Sequence, residues 1–210
     1  MKLFTSAFLF LTIFWAFPAK AITSEPANAP STLNSLMTAY SRASNEKLTY
    51  LVYAVKADQE GYKMVAQIFR TASKSEGISA GLFAKSVIKL GGTPAYEKKV
   101  PEAKTTQENI QEAIDIDSNE VDKVFPKFIA RAEAEKQDEV KHLFNTAMLV
   151  KSNQLGILKD ILGEPKTWKN PARARFACES CGNMNDTANA TNCPICGAYV
   201  GDYRGSSKHP

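Results

Sequence analysis

A mainly α fold is predicted: an antiparallel four-helix bundle followed by a small metal-binding domain built on cysteines. Three observations lead there. Apolar residues recur at three- and four-residue steps through four long segments between residues 33 and 163. One long polar connection separates two short-linked pairs of those segments. All four cysteines stand beyond them, in Cys178-Glu179-Ser180-Cys181-Gly182 and Cys193-Pro194-Ile195-Cys196-Gly197. The 210 residues suffice for one medium domain plus a small one, and 44% hydrophobic with 23% charged residues is ordinary for a globular protein.

Residues 1–21 read as an export signal. Lys2 supplies a positive start, residues 3–17 are an apolar run, Pro18 breaks it, and Ala19-Lys20-Ala21 offers a small-x-small cleavage site. A retained anchor is the competing reading, but the run is shorter than the ~20 residues that span a bilayer, so no stable anchor is expected after cleavage. The formal charge is +4, from 26 basic and 22 acidic residues; losing Lys2 and Lys20 leaves +2. That near balance, with no basic stripe among aromatics, gives no reason to expect nucleic-acid binding. The expected location is outside the cytoplasm, in the periplasm if the source is a Gram-negative bacterium.

Residues 22–32 form a flexible leader. The first helix runs from Leu33 on Leu36, Met37, Tyr40, Leu48, Leu51, Val52 and Val55, with Ser31 or Thr32 as its cap and Glu60-Gly61 as its end. The second, about residues 62–90, carries Val65, Ile68, Phe69, Ala72, Phe83 and Val87 and stops at Gly91-Gly92-Thr93-Pro94. The third carries Ile110, Ala113, Ile114, Val121, Val124, Phe128 and Ala132, with a kink expected at Pro126. The fourth carries Val140, Leu143, Phe144, Ala147, Met148, Leu155, Leu158 and Leu162 and closes at Gly163-Glu164-Pro165.

A linker, residues 164–173, leads to residues 174–204, which hold the cysteines, and to a short tail, 205–210. Each C-x-x-C turn lets two thiolates converge, with backbone N–H groups aimed at the sulfurs; two facing turns make a closed S4 tetrahedron. Gly182 and Gly197 suit the chain reversal after each pair because glycine tolerates positive φ. Disulfides across the two turns are the competing arrangement.

The second half repeats the first at an offset of 75 residues: Ile68-Phe69-Arg70-Thr71-Ala72 matches Leu143-Phe144-Asn145-Thr146-Ala147, Val65 matches Val140, and Tyr53 matches Phe128. Duplicated hairpins joined by a crossover are the arrangement of ferritin-like bundles, whose helices carry ligands inward to a di-metal site.

Together these features resemble a rubrerythrin. The likeness covers about residues 33–204 and rests on Asp58-Gln59-Glu60-Gly61-Tyr62, Ile68-Phe69, Phe125-Pro126-Lys127-Phe128 and the two cysteine turns. In that family the bundle holds two irons that reduce peroxide, and a rubredoxin-like tail holds one iron that relays electrons. The resemblance implies one iron on Cys178, Cys181, Cys193 and Cys196 and one-electron transfer to an unidentified redox partner protein; zinc fits the same tetrahedron. Family members pair head-to-tail, so that one subunit's tail serves another's bundle, which implies a homodimer.

The bundle departs from the family's pattern. Ala43 stands where the first helix should supply a glutamate, and Glu76-Gly77-Ile78-Ser79 keeps the acid of E-x-x-H but puts Ser79 for the histidine. Asp117 and Glu120 keep a pair of acids on the third helix, while the fourth reads Lys151-Ser152-Asn153-Gln154, with Lys151 and Gln154 at the ligand positions. Glu46, one turn beyond Ala43, is a further candidate to point inward. His142 lies about half a turn round the helix from Lys151, and His209 is in the tail.

A di-iron centre is therefore not expected, which argues against peroxide reduction by the bundle. Lys151 is expected to pair with the remaining acids, its nitrogen within about 4 Å of Glu76 or Asp117. The alternative function is a non-enzymatic binding or structural protein, with a zinc ribbon and a metal-free helical bundle.

Overall fold

Four rods and a short knuckled tail make up the chain in a computed structural model, which describes residues 31–99, 101–172, 175–186 and 191–199. Residues 1–21, read as an export signal, residues 22–30 of the expected leader, and the end of the chain from residue 200, with His209, lie outside the described residues. Helix α1 (Thr32–Gln59) starts where the Ser31 hydroxyl accepts the Asn34 N–H, so one of the orphan donors of its first turn is satisfied. It ends at Gly61, whose φ of +80° needs a residue without Cβ. Helix α2 (Lys63–Lys89) runs back beside it, bringing Val87 and Gly92 to Leu33. After the crossover, α3 (Thr106–Asn119) opens in a reciprocal cap between Thr105 and Glu108. A π-helical turn (Glu120–Val124) and α4 (Phe125–Ala134) complete that rod, and α5 (Asp138–Gly163) returns along it.

The third rod is interrupted more specifically than a proline kink. Pro126 has no N–H, so the Asp122 carbonyl loses its usual partner. One residue back the ladder has already widened, with the Phe125 N–H bonded to the Glu120 carbonyl five residues earlier. The three pieces span 14, 5 and 10 residues, one more in total than the 28 of α1. That extra residue shifts the internal repeat. The N-caps Ser31 and Thr105 are 74 apart, whereas the C-caps Glu60 and Glu135 are 75 apart. Ahead of the π turn, Ala43 therefore corresponds to Asp117 and Glu46 to Glu120.

The two halves also hold each other's ends. The Glu60 carboxylate accepts the Thr106 N–H at 3.1 Å, and Glu135 accepts the Thr32 N–H at 3.0 Å. Each acid closing one hairpin turn thus meets the positive N-terminal end of a helix in the other half.

Each of the four rods is apolar towards both ends of its inward face, with polar side chains between. One core cluster gathers Tyr50, Tyr53, Phe69, Ile110 and Leu158; the other gathers Leu36, Phe83, Phe125 and Phe144. Between them lie Glu46, Glu76, Asp117, Glu120 and Lys151, all buried.

Beyond α5, a short 3₁₀ turn (Pro165–Thr167) leads to Trp168, which enters the first core cluster. Its indole N–H donates to the Ile161 carbonyl at 2.6 Å, and its own carbonyl accepts the Met64 N–H at 3.1 Å. The stretch read as a linker is thus fastened to the bundle. Strands β1 (Arg175–Ala177) and β2 (Met184–Asp186) then pair antiparallel, with Ala177 opposite Met184, and carry the first cysteine turn between them.

Candidate metal centre and the carboxylate–lysine layer

The two cysteine turns repeat one geometry. The Cys178 N–H donates to the Asn183 carbonyl at 2.8 Å and the Gly182 N–H to the Cys178 carbonyl at 2.6 Å; Cys193 with Ala198, and Gly197 with Cys193, do the same at 2.7 and 2.9 Å. Gly182 and Gly197 have φ of +86° and +72°, the left-handed conformation their positions require. Facing each other, the turns bring all four sulfurs within 4.8 Å of one another. The Cys178–Cys196 and Cys181–Cys193 pairs are both 3.7 Å apart.

That spacing fits the metal reading of the sequence better than the disulfide one. A disulfide needs about 2.05 Å between sulfurs. A tetrahedral ion with metal–sulfur bonds of about 2.3 Å separates its ligands by about 3.8 Å. The cysteines are free thiols at metal-binding spacing. Burial raises the Cys181 and Cys196 thiols, while at Cys193 the N–H groups of Cys196 and Ile195, with the neighbouring Cys181 and Cys196 side chains, outweigh burial and draw the thiol to about 7. A thiolate is the form a metal takes.

In the bundle, Lys151 reaches the acids expected of it and two more. Its ammonium nitrogen lies 2.5 Å from Glu46 Oε2, 2.8 Å from Glu76 Oε1, 2.9 Å from Asp117 Oδ1 and 3.2 Å from Glu120 Oε2. Glu46, which sequence reading placed inward only as a candidate, makes the shortest of these contacts. Gln154 donates to Asp117 Oδ2 and to the Tyr50 hydroxyl at 3.0 Å each, and to Glu76 at 3.4 Å. Ala43 and Ser79 are buried at the edge of the layer, lining a residual space of about 10 Å³, about room for one water. His142 is exposed and takes no part.

Two members carried no sequence signal of their own. Arg42 donates to Glu120 Oε1 at 2.5 Å from the solvent side, and the Tyr50 hydroxyl donates to Asp117 Oδ1 at 3.2 Å. Only the acids across the bundle give them their roles.

Four carboxylates face two cations, so full ionisation would leave a buried excess of negative charge, and protons redress it. Burial first, and the neighbouring Glu120 charge next, hold the Glu46 carboxyl well above its usual range. Burial raises Glu76 to about 7 against the pull of Lys151, and it raises Asp117 too. For Glu120, burial is outweighed by Lys151 and Arg42 together, which keep it below the usual range. Lys151 itself stays charged: burial would lower it, but Asp117, Glu120, Glu46 and Glu76 lift it well above an ordinary lysine.

A four-helix bundle with carboxylates turned inward, carrying a tetrahedral cysteine site at its C-terminal end, defines a class of ferritin-like proteins with a rubredoxin-like domain. The rubrerythrin family model matches residues 34–150, more than half of the chain, and the chain belongs to the rubrerythrin family. It is similar to nigerythrin of Nitratidesulfovibrio vulgaris, 27% identical over 174 residues covering 79% of this chain and 82% of that protein. It is also similar to rubrerythrin-2 of Clostridium acetobutylicum, 23% identical over 172 residues, covering 79% and 91%. Among solved structures, nigerythrin in a mixed-valence state superposes with a TM-score of 0.73 at 26% identity, covering 86% of this chain and 87% of that one. A bacterioferritin of Desulfovibrio desulfuricans superposes at 0.61 with 17% identity, covering 66% and 82%, a likeness of fold.

Proposed function

We propose that this chain is an exported iron protein that passes single electrons through Cys178, Cys181, Cys193 and Cys196, and that its bundle has exchanged the di-iron centre for an internal cation. The observation that carries the first half is the pair of 3.7 Å sulfur separations, which suit one tetrahedral ion. Iron rather than zinc is supported by the likeness to nigerythrin, which has been solved fully reduced, all ferrous, and in a mixed-valence state. Iron held by four thiolates supplies a one-electron couple. The chain's own part is to hold four thiolates in place, with the peptide N–H groups of both turns directed at them.

The second half rests on the donor set in the bundle. Oxygens of Glu46, Asp117 and Glu120 lie within 4.8 Å of one another, as metal ligands would. A protonated lysine shares that space, and Ser79 and Gln154 supply no imidazole. An ammonium cannot ligate, and it already offers the acids the positive charge that metal ions would otherwise bring. The layer therefore does not fit two irons, and no peroxide chemistry is assigned to it.

Export follows from residues 1–21, with cleavage after Ala21, and a homodimer completes the proposal. Metal analysis and visible absorption of protein purified from its own host test the core of it. Red protein with about one iron per chain is the expected result. Colourless protein holding zinc would favour a non-enzymatic, structural role, for which the lysine-filled bundle already speaks. About three irons per chain would overturn the replacement of the di-iron centre. An N-terminus at Ile22 and a dimeric mass in solution are the expected outcomes for export and assembly.

A further inference from the structure

The first cysteine turn lies on the bundle of its own chain, over the place where the buried charges are. Ser75 on α2 and Val150 on α5 correspond through the 75-residue repeat, and each immediately precedes a charged member of the layer, Glu76 and Lys151. The turn spans this pair. Val150 packs in one apolar cluster with Cys178, Cys181 and Cys193. Gly182 sits so close to α2 that a Cβ there would come within 3.0 Å of the Ser75 carbonyl oxygen, 3.2 Å of its hydroxyl and 3.4 Å of the Ser79 hydroxyl. The Asn153 amide donates to Asn183 Oδ1 at 2.9 Å and to the Met184 carbonyl at 2.8 Å, and Lys74 pairs with Glu179 at 3.3 Å. Ser75, in the middle of α2, is fully buried, and Asn183 is 1% exposed.

We propose that the Cys178–Gly182 turn is a metal-held cover for the carboxylate–lysine layer of the same chain. The inference rests on the reading of the four cysteines as a metal site. The tail segment has few apolar side chains, so the ion supplies much of the energy that keeps it folded. While the ion is bound, the turn closes the groove between α2 and α5 and keeps water from Glu76 and Lys151, whose neighbours it touches. When the ion leaves, the turn loosens, and Ser75, Ser79, Val150 and Asn153 lose their covering. Metal loading of the tail and solvation of the bundle centre are thereby linked.

Hydrogen exchange read by mass spectrometry on the full mature chain tests this. Three samples are compared: the protein as isolated, the same protein after chelation under reducing conditions, and a Lys74→Glu/Asn153→Ala variant that keeps its metal. Gly182→Ala is the more forceful change, but it also strains the turn at positive φ, so the double variant carries the test. Exchange in residues 72–80 and 148–156 is expected to rise about tenfold or more in the second and third samples, while residues 32–42 stay as they were. Loosening confined to residues 175–199, or a variant indistinguishable from the wild type in those two segments, would overturn the cover. Metal content is measured on the same samples. Protein isolated without metal would overturn the reading of the cysteines, while the wild-type and variant comparison still decides the cover.

Discussion

Lys151 Nζ lies 2.8 Å from Glu76 Oε1, and the two residues occupy equivalent places in the repeat, 75 positions apart. The halves of the bundle thus present opposite charges where a symmetric pair would present the same one. Correspondence of Glu46 with Glu120 leaves a like-charged pair on the other two helices, and Lys151 sits among all four acids. The cation is internal to the fold, so its loss should be felt as a loss of folding.

Replacing Lys151 by Met should leave four buried carboxyls with Arg42 as their only cationic partner among the described residues. Breaking a buried ion pair from one side costs about 3–5 kcal/mol, and that is the expected loss in urea unfolding at neutral pH. The deficit should shrink on acidification, because the acids can then fold uncharged.

The wild-type protein should also respond to pH, through Glu76. Its folded value of about 7 lies above the ordinary 4.5, so between these values the folded state binds the extra proton. A raised acid contributes stability below its unfolded value and loses it as pH rises through the folded one. Stability should therefore fall from pH 5 to pH 8 by an amount on the order of a few kcal/mol. Glu46, shifted in the same direction, adds to the trend, and Glu120, shifted the other way, acts only in acid. Glu76→Gln should flatten the slope of the urea midpoint against pH; an unchanged slope would assign it elsewhere.

Any one of Cys178, Cys181, Cys193 and Cys196 changed to Ser should release the ion and unfold roughly residues 174–204. Far-ultraviolet dichroism should retain the helical signal of the bundle, since one apolar cluster lies wholly within the helices and the other takes only Met184 from the tail. Metal content and the visible spectrum report the loss directly.

Iron uptake tests the bundle centre from the opposite side. Lys151→Glu with Ser79→His and Gln154→His removes the cation and restores two imidazoles beside the carboxylates. The combined variant should rise from about one iron per chain toward about three. Peroxide turnover by the wild-type chain that survives loss of the cysteine site would contradict the assignment of the layer as metal-free.

Tyr50→Phe isolates one hydrogen-bonding group. The phenol donates to Asp117 and accepts from Gln154 at the same time. Its loss should cost about 1–3 kcal/mol in unfolding, because both partners stay buried.

What the sequence determined by itself is local. Ser31 as a cap, Gly61 and Gly91 as helix ends, and Gly182 and Gly197 as reversals behind the cysteines each depend on a few neighbouring residues. Such rules act over one turn of chain, which is why they could be read in order. The inward acids and Lys151 were legible too, through the resemblance that marks the ligand positions on each helix, with a 3.6-residue period to place Glu46 on the same face. Tertiary structure decided the rest. A period says that Glu46 can point inward but not that it will stand 2.5 Å from a lysine 105 positions away, and nothing near Arg42 or Tyr50 in the chain names their partners. The π turn changed the repeat from 75 to 74 ahead of it, through a single residue that no local pattern placed. The seat of the cysteine turn on Ser75 and Val150 depends on how α2 and α5 lie side by side. Those contacts are fixed by the rotation and depth of whole helices against one another, which is set by the packing of the entire core and by no segment alone.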